Sequence, residues 1–108
     1  MNPCDYSLCT DTVTVYRQET DGVLRQVVKN CLFAPRGVYR DTVTGAYVRK
    51  PFLLVIPGES GSVQLQDRIF PGEGPESLRQ EQLALLHRVQ RCTPYYFEGR
   101  LCHWEAEG

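Results

Sequence analysis

Residues 52–74 read FLLVIPGESGSVQLQDRIFPGEG, and this stretch decides the fold class. Five apolar residues run together and stop at Pro57–Gly58. After a polar loop, Val63-Gln64-Leu65 alternates, and a second Pro-Gly follows at 71–72. A short run that is apolar on both faces is typical of a central strand in a sandwich or small barrel, whereas alternation is typical of a half-buried strand. The stretch therefore predicts two strands, with residues 62–70 returning antiparallel beside the first.

The segment before this stretch predicts a hairpin. Thr12 to Arg17 alternates and is rich in β-branched residues, which puts Val13 and Val15 on one face and Thr12, Thr14 and Tyr16 on the other. Thr20-Asp21-Gly22 supplies turn chemistry, because glycine takes positive φ freely. A second β-prone run covers residues 23–33, and the two runs together form the hairpin.

The connection between this hairpin and the central strand is irregular. The motif Ala34-Pro35-Arg36-Gly37 breaks the second run. Residues 38–45 contain Asp41 and Gly45, and they are interpreted as either a mobile connection or a ragged hairpin. Residues 46–56 are then expected to form one long strand.

The last third of the chain predicts one short helix followed by a second hairpin. Residues 75–86 begin with a proline and an acidic residue, which suits a helix start, but Leu83 falls off the face that the other leucines share. Residues 86–97 and 100–106 are β-prone on either side of a Glu98-Gly99 turn. With the earlier segments this makes about six or seven short strands, so the expected fold is an all-β antiparallel barrel or sandwich with long loops.

The bulk composition predicts one globular domain and excludes disorder. The chain has 108 residues, of which 42% are hydrophobic and 23% charged. Residues 1–108 are expected to form a single barrel-like domain, with residues 1–10 as an irregular N-terminal arm. The formal net charge of −1 argues against a general nucleic-acid binder, which carries a basic excess, but leaves room for a local basic face.

Targeting and redox features point to a chain made in the cytoplasm. No segment approaches the roughly 20 apolar residues that span a bilayer, and the N-terminus has neither the basic start nor the apolar core of a signal peptide. The five cysteines, at positions 4, 9, 31, 92 and 102, are odd in number. Reduced thiols are therefore expected rather than a disulfide framework.

The sequence contains no convincing catalytic or metal-binding motif. Cys102 and His103 are neighbours, and neighbours on a strand point to opposite faces, so they would hardly share an ion. His87 lies in no recognisable motif either, and the GESGS segment lies in a turn rather than at a strand-to-helix elbow. We expect no metal, no cofactor and no enzymatic activity.

A basic and aromatic segment is the strongest candidate for a binding surface. Four basic residues, Arg36, Arg40, Arg49 and Lys50, lie near Tyr39 and Tyr47 in the sequence. Such interleaving suits single-stranded nucleic acid on a small barrel. A solvated hairpin with tyrosines at its edge is the alternative that the mildly acidic total charge favours. The same loop could face an acidic protein partner, or DNA that passes through a ring.

The order of short motifs resembles a family of phage proteins. The chain carries DTVTVYR, VVKNCLF, FLLVIPG, LQDRIFPGEG and finally GRLCHWEAEG, over roughly residues 10–108. This order resembles the small head–tail connector proteins, often labelled minor capsid proteins, of tailed phages and prophages of Gram-positive bacteria. Gln66 stands in the LQDRIF turn where glycine is common in that family, so the local turn is expected to differ.

The resemblance implies a head-completion, or stopper, protein that works without catalysis. Such proteins are small β-barrels that assemble as a ring below the portal and its adaptor, seal the DNA channel and present a platform to the tail. The implied location is the virion, assembled in the host cytoplasm. The implied partners are sister copies, adaptor-side and tail-side proteins and, non-specifically, channel DNA, with no membrane. A tail-terminator ring protein is the near alternative.

Two loops are expected to project from the barrel and to make these contacts. The loop of residues 33–50 is basic and aromatic, and its residues 36–50 would face the channel or the adjacent ring. The loop of residues 57–63 is small and flexible, and the N-terminal arm and residues 98–108 would meet neighbours. The candidate interaction residues are Arg36, Tyr39, Arg40, Tyr47, Arg49, Lys50, Glu59 and Trp104. A nucleic-acid-binding barrel and a small enzyme or metal protein are the competing functions.

Overall fold

The chain folds mainly into antiparallel strands, as the alternating β-branched residues predict. The computed structural model describes residues 6–35, 38–40, 43–45, 47–49 and 52–108. Within these ranges the elements in chain order are β1 (Asp11–Glu19), β2 (Gly22–Ala34), β3 (Val38–Arg40), β4 (Tyr47–Arg49), β5 (Leu53–Pro57), β6 (Arg68–Pro71), α1 (Gln80–Leu83), β7 (His87–Arg88), β8 (Arg91–Phe97) and β9 (Arg100–Glu107). The expected all-β class with at most one short helix is confirmed.

The predicted hairpin is formed by β1 and β2. Strand β2 pairs first with β1 and then, at its end, with β5. The hairpin closes where Glu19 pairs with Gly22. At the other end the register shifts, and Asn30 takes a left-handed φ of 57°. This bulge bends β2, so that its last residues pair with β5 instead, beginning at Leu32 opposite Val55. One long strand therefore links the two halves of the sheet.

Seven strands form one curled sheet in the order β7-β6-β1-β2-β5-β9-β8, which is a half-barrel. The two edge strands, β7 and β8, are separated in sequence only by Val89 and Gln90. The Val89 amide donates to the carbonyl of Asp67, and the Gln90 amide donates to that of Glu107. These two residues therefore bring the opposite edges of the sheet together, and the fully buried Val89 fills the junction.

The return strand pairs elsewhere than predicted. Residues 62–67 form a loop, and β6 pairs antiparallel with β1 rather than with β5. The buried Asp67 fixes this route, because its carboxylate accepts two hydrogen bonds from Arg17 on β1, at 3.0 and 2.9 Å. The same carboxylate accepts a third from the Gln64 amide. The expectation that residues 62–70 would flank the central strand was wrong, because it considered neighbours in sequence and missed this pair.

Strand β1 is buried on both faces, which the alternation did not predict. Val13 and Val15 face the core as expected. On the other face Thr14 and Tyr16 are also buried, because the segment after β6 crosses over them. The Thr14 hydroxyl donates to the carbonyl of Gly72 and accepts from the Gly74 amide. We call residues 72–75 the strap.

The core lies inside the curl of the sheet. It consists of buried residues contributed by five strands and by three connecting segments, namely Val13, Val15, Val28, Cys31, Phe52, Leu54, Ile56, Val63, Ile69, Val89 and Ala106. The central position of β5 between β2 and β9 is confirmed. Its outer face is only partly buried, so Leu53 and Val55 remain half-exposed.

The helical segment is a single turn. Its buried residue is Leu83, which the sequence pattern placed off the shared apolar face. Leu83 is buried, whereas Leu85 is exposed. The helix covers only residues 80–83, so the apolar face that the sequence predicted for a helix over residues 75–86 was wrong. The following β-prone run is divided between β7 and β8 at opposite edges of the sheet.

Strands β3 and β4 form a separate two-stranded sheet, which confirms the hairpin alternative for this connection. The predicted long strand over residues 46–56 is instead β4 and β5, two separate strands in different sheets. The radius of gyration is 15.0 Å, against about 13 Å for a compact chain of this length. The larger value fits a hairpin that extends beyond the half-barrel.

Candidate interaction surface

A surface groove lies at one end of β5. It has a volume of about 540 Å³ and is formed where the end of β5 meets the tip of the β8–β9 hairpin and the N-terminal segment. Tyr6, Phe97 and Leu101 supply apolar walls, and Glu59 and Glu98 supply carboxylates. We call this the terminal groove. An apolar interior with an acidic rim suits an aromatic, basic partner better than a small metabolite.

The turn at the tip of this hairpin sets the position of the aromatic wall. Glu98 and Gly99 have φ values of 51° and 76°, so the two-residue turn is of the type I′ that matches the twist of a hairpin. The predicted turn is confirmed. It leaves Tyr96 and Phe97 with 63% and 48% of their surfaces exposed, at the free end of β8. Two large aromatic side chains in water at one tip are the kind of exposure that marks a contact surface.

The edge of β8 is protected against uncontrolled strand pairing. Pro94 has no amide hydrogen to donate, and such a residue is tolerated only at an edge or a bulge. It pairs in register with Trp104 on β9, the one neighbour that β8 has in the sheet. Binding at this end of the sheet is therefore expected to use side chains rather than an added strand.

A cluster of aromatic rings holds the N-terminal segment against the hairpin. The ring of His103 stacks on Tyr95 at 4.8 Å and meets Tyr6 edge to face at 5.2 Å. The Tyr6 hydroxyl is hydrogen-bonded to Nδ1 of His103, and Nε2 lies 3.4 Å from a carboxylate oxygen of Glu105. The cluster thus fixes Tyr6, one wall of the terminal groove, on β9.

The pKa shifts in this cluster keep its hydroxyl groups protonated. Burial raises the pKa of Tyr6, and the nearby Cys9 and Glu105 add to the effect. A hydrogen bond to the Glu105 carboxylate raises the pKa of Tyr95. A tyrosine whose pKa is raised is a poorer nucleophile near neutral pH.

The sequence suggested that the loop of residues 57–63 projects from the barrel. In the structure this loop is packed onto the sheet. The Gly58 amide donates to the carbonyl of Cys102, and the Ser60 hydroxyl donates to that of Asn30. Val63 is buried in the core. The Glu59 side chain is still 90% exposed and lies 3.5 Å from the guanidinium of Arg100, at the rim of the terminal groove.

The other sequence candidates lie in two different environments. Trp104 is half-buried and packs against the core, so much of its surface serves the fold. Tyr39 and Arg40 lie on β3, and Tyr47 and Arg49 lie on β4, where Tyr47 is the register partner of Arg40. Arg36 and Lys50 fall outside the described residues. The structure thus collects four candidates in one hairpin and places Glu59 in the terminal groove.

The hairpin is joined to the sheet at the start of β5, and the terminal groove lies at the end of that strand. The chain leaves for β3 after Ala34, which pairs with Leu53 at the start of β5. The groove is built around Pro57 and Gly58, at the end of the same strand. Four residues of extended chain separate these points by about 13 Å. Sequence reasoning missed Tyr6 and Arg100 as groove residues, although the cluster of aromatic residues in the last hairpin was a usable signal.

The two histidines belong to separate structural clusters. His87 meets Phe33 and Phe52 edge to face, at 5.2 and 5.3 Å. His103 belongs to the aromatic cluster with Tyr6. In the part of the chain that the structure describes, no group of three or more His, Cys, Asp or Glu side chains could hold a metal ion.

The cysteines are mixed in state, and the free thiols are not activated. Among the described cysteines, Cys9, Cys31 and Cys92 are free, as expected, whereas Cys102 is disulfide-bonded, which the sequence analysis did not predict. Burial raises the pKa of each free thiol, and that of Cys31 reaches about 11. A reactive cysteine requires the opposite shift.

Comparison with known proteins identifies no relative. No family model, no curated protein and no solved structure matches the chain. Among the described residues, no helix has the length and apolar character to cross a membrane.

Proposed function

We propose that this chain is a structural assembly protein of the neck of a tailed phage or prophage. In this role it forms a ring at the head–tail junction as a head-completion, or stopper, protein, without catalysis and without a cofactor. The order of its motifs resembles small head–tail connector proteins over most of the chain. This resemblance is the first support for the role, and the geometry of the described residues is the second.

One observation carries the proposal: the chain offers two unlike candidate surfaces, a hairpin joined to the start of β5 and a groove at the end of that strand. The β3–β4 hairpin pairs with no other strand of the described chain, and the terminal groove exposes aromatic side chains at the other end. A closed ring requires two unlike surfaces on each copy, because head-to-tail contacts join different faces. A small enzyme needs one convergent site instead.

The polarity of the two surfaces suggests their roles in the neck. Residues 36–50 carry four basic side chains and one aspartate, which suits the channel or an adjacent acidic ring. Tyr6 of the N-terminal segment lies with residues 98–102 at the groove, which suits contact with neighbours. The end of the chain lies elsewhere, because Glu107 pairs with Leu53 at the start of β5. The partners are then sister copies, an adaptor-side ring and a tail-side ring, with channel DNA contacted non-specifically.

Imaging of particles from a phage that lacks this gene tests the proposal. DNA-filled heads that leak their DNA and carry no tails are the expected result for a stopper. Sealed heads beside tails of uncontrolled length would assign the tail-terminator role instead. Normal infectious virions would contradict both. Complementation by Glu81→Lys, which changes an exposed residue of α1, provides a matched control for complementation by Glu98→Lys in the groove.

A nucleic-acid-binding barrel is the second candidate, and the basic, aromatic composition of residues 36–50 favours it. In that case the isolated protein would bind single-stranded DNA, with an affinity that falls steeply as salt is added, because phosphate contacts release counterions. Filter binding at two salt concentrations separates the two functions. A neck protein is expected to show weak retention without preference for single strands.

A further inference from the structure

We propose that Arg68 and Arg88 form a binding site for a phosphate group, on the outer face of the sheet where β6 pairs with β7. The inference goes beyond the proposed function, because it names a site and a ligand chemistry that the neck assignment does not require. Free phosphate and the backbone of a nucleic acid both supply this chemistry, and a pair of probes separates the two sources.

Strands β6 and β7 place the two arginines side by side on one face. Arg68 and Arg88 are register partners in this antiparallel pair. The next register pair joins Ile69 to His87, and Ile69 is fully buried in the core. Since side chains alternate between the faces of a strand, both arginines lie on the face away from the core. Directly opposite residues have Cβ atoms about 5 Å apart, so both guanidinium groups can reach one ligand.

The charges of these two arginines are not neutralised by a carboxylate within the described chain. The cations that form ion pairs there are Arg17, Arg25, Arg79, Arg91, Arg100 and His103. Arg68 and Arg88 are not among them. Like charges directly opposite one another destabilise a sheet. A bound anion would therefore remove a repulsion that the fold itself leaves in place.

A third arginine in the same row of the sheet shows the contrast. Tyr16 is the register partner of Arg68 on one side and of Arg25 on the other. The Arg25 guanidinium donates to the carbonyl of Gly74 in the strap, at 2.6 Å, and lies 4.0 Å from a carboxylate oxygen of Glu73. The chain thus supplies Arg25 with its own acceptors and counter-charge, and the excess positive charge of the row lies between β6 and β7.

A small cavity adjoins the arginine pair. Its volume is about 260 Å³, and both arginines line it together with Gln90. No aspartate or glutamate of the described chain lines it. Sites for drug-sized ligands typically measure about 300–1,000 Å³, so this cavity suits a phosphate group better than a whole metabolite.

The side chain of Arg68 is partly fixed by backbone acceptors. Its Nη1 donates to the carbonyls of Ala84 and Leu86, at 3.5 and 3.3 Å. A guanidinium has five N–H donors in a planar fork, so these contacts use one nitrogen and leave the other donors for a ligand. Such a fork matches two oxygens of a phosphate, whereas an ammonium group acts as a point charge. Binding is therefore expected to depend on the fork as well as on the charge.

Titration of the full-length chain, followed by NMR of the arginine side-chain Nε–Hε signals, tests the site. The first probe is inorganic phosphate, and the second is an abasic deoxyribose-phosphate oligomer, which presents the nucleic-acid backbone without bases. We expect the Arg68 and Arg88 signals to shift saturably, with a dissociation constant of about 1 mM or lower for the better probe. Tighter binding of inorganic phosphate, at equal phosphate concentration, identifies a free phosphate ligand. Tighter binding of the oligomer identifies a nucleic-acid backbone.

Three variants assign the binding to the fork. Arg88→Gln should weaken binding about tenfold, because one charge-assisted contact is lost. Arg88→Lys keeps the net charge and should recover only part of that loss. The matched control is Arg100→Gln, which removes the same charge from an exposed residue in the terminal groove and should change the affinity less than about twofold. Arg88 is exposed, so its variants are expected to fold normally.

Three results would overturn the inference. The first is the absence of saturable shifts with either probe up to about 10 mM phosphate. The second is an equal loss of affinity in Arg88→Gln and Arg100→Gln, which would show a response to net charge alone. The third is full affinity in Arg88→Lys, which would contradict recognition by the fork. The outcome is separate from the neck assignment, which depends on particles of a phage that lacks the gene.

Discussion

The strap side of the half-barrel and its two ends differ in where their polar and apolar groups find partners. On the strap side the buried polar side chains find hydrogen-bond partners within the chain. Thr14 forms two hydrogen bonds with the strap, and Asp67 accepts three hydrogen bonds. At the ends, Tyr96 and Phe97 face water, and β3 pairs only with β4. The comparison indicates that one region holds the fold and the other is available for contacts.

Loss of the buried carboxylate is expected to have the largest effect on the fold. Asp67 is 1% exposed and forms a bidentate pair with Arg17. Asp67→Ala leaves this guanidinium without its counter-charge and also removes the acceptor of the Gln64 amide. We expect the free energy of unfolding to fall by about 3 kcal/mol, measured by urea denaturation. Arg100→Ala removes an exposed pair at the groove and serves as the control, with a change below about 0.5 kcal/mol.

The strap is expected to tolerate no side chain at its closest approach to β1. A Cβ added at Gly74 would lie 2.4 Å from the hydroxyl oxygen of Tyr16 and 3.0 Å from the ring of Phe70. Gly74→Ala should therefore lower the free energy of unfolding by about 2 kcal/mol through overpacking. Tyr16→Phe removes the nearer obstacle, so the double variant should be more stable than the sum of the single effects predicts. Strict additivity would contradict the account of the strap.

Alkaline pH is expected to weaken the core through one thiol. Burial raises the pKa of Cys31 from 9.0 to about 11. Because the folded pKa is the higher one, this contribution to stability is complete below pH 9 and is lost as the pH rises to about 11. The stability difference between the wild type and Cys31→Ala should shrink by about 2 kcal/mol over this interval, since other titrating groups act equally in both. A constant difference would contradict the burial argument.

A smaller effect is expected at the turn before β6. Gln66 has a φ of 73°, in the left-handed region that costs a non-glycine residue about 1–2 kcal/mol. Gln66→Gly relieves this strain but makes the unfolded chain more flexible, so a net gain of up to about 1 kcal/mol is expected. Gln66→Val should be destabilising, because a branched side chain fits this conformation least well. Equal stabilities for the three chains would show that the turn relaxes.

The smallest effect on stability is expected from the hairpin. Replacement of residues 36–50 by a short Gly-Ser turn should leave the free energy of unfolding within about 1 kcal/mol of the wild type, because loop length costs little and β3–β4 pairs with no other described strand. A large loss of stability would mean that the hairpin supports the barrel rather than a partner.

The local features of the fold could be predicted from the sequence. Alternation in Thr12 to Arg17, the Thr20-Asp21-Gly22 turn and the Glu98-Gly99 turn each act between near neighbours, so residue type alone indicates them. The faces of Val13 and Val15 follow from the same two-residue period. These predictions are confirmed because nothing distant competes with them.

The long-range features could not be predicted, because they depend on partners about 50 residues apart. The pairing of β6 with β1 follows from the Asp67–Arg17 pair, and the burial of Thr14 follows from a strap that has no pattern of its own. The terminal groove is likewise made by segments from both ends of the chain, with Tyr6 latched onto His103. Only the candidate Glu59 in that groove could be named from the sequence.

Cryo-electron microscopy of purified virions of the phage that encodes this chain tests the central claim most directly. The account predicts a ring of this chain between head and tail, in which the terminal groove of each copy lies at a contact with a neighbouring copy. Virions without this chain, or a ring whose copies meet through the strap face with the groove and hairpin both free, would contradict it.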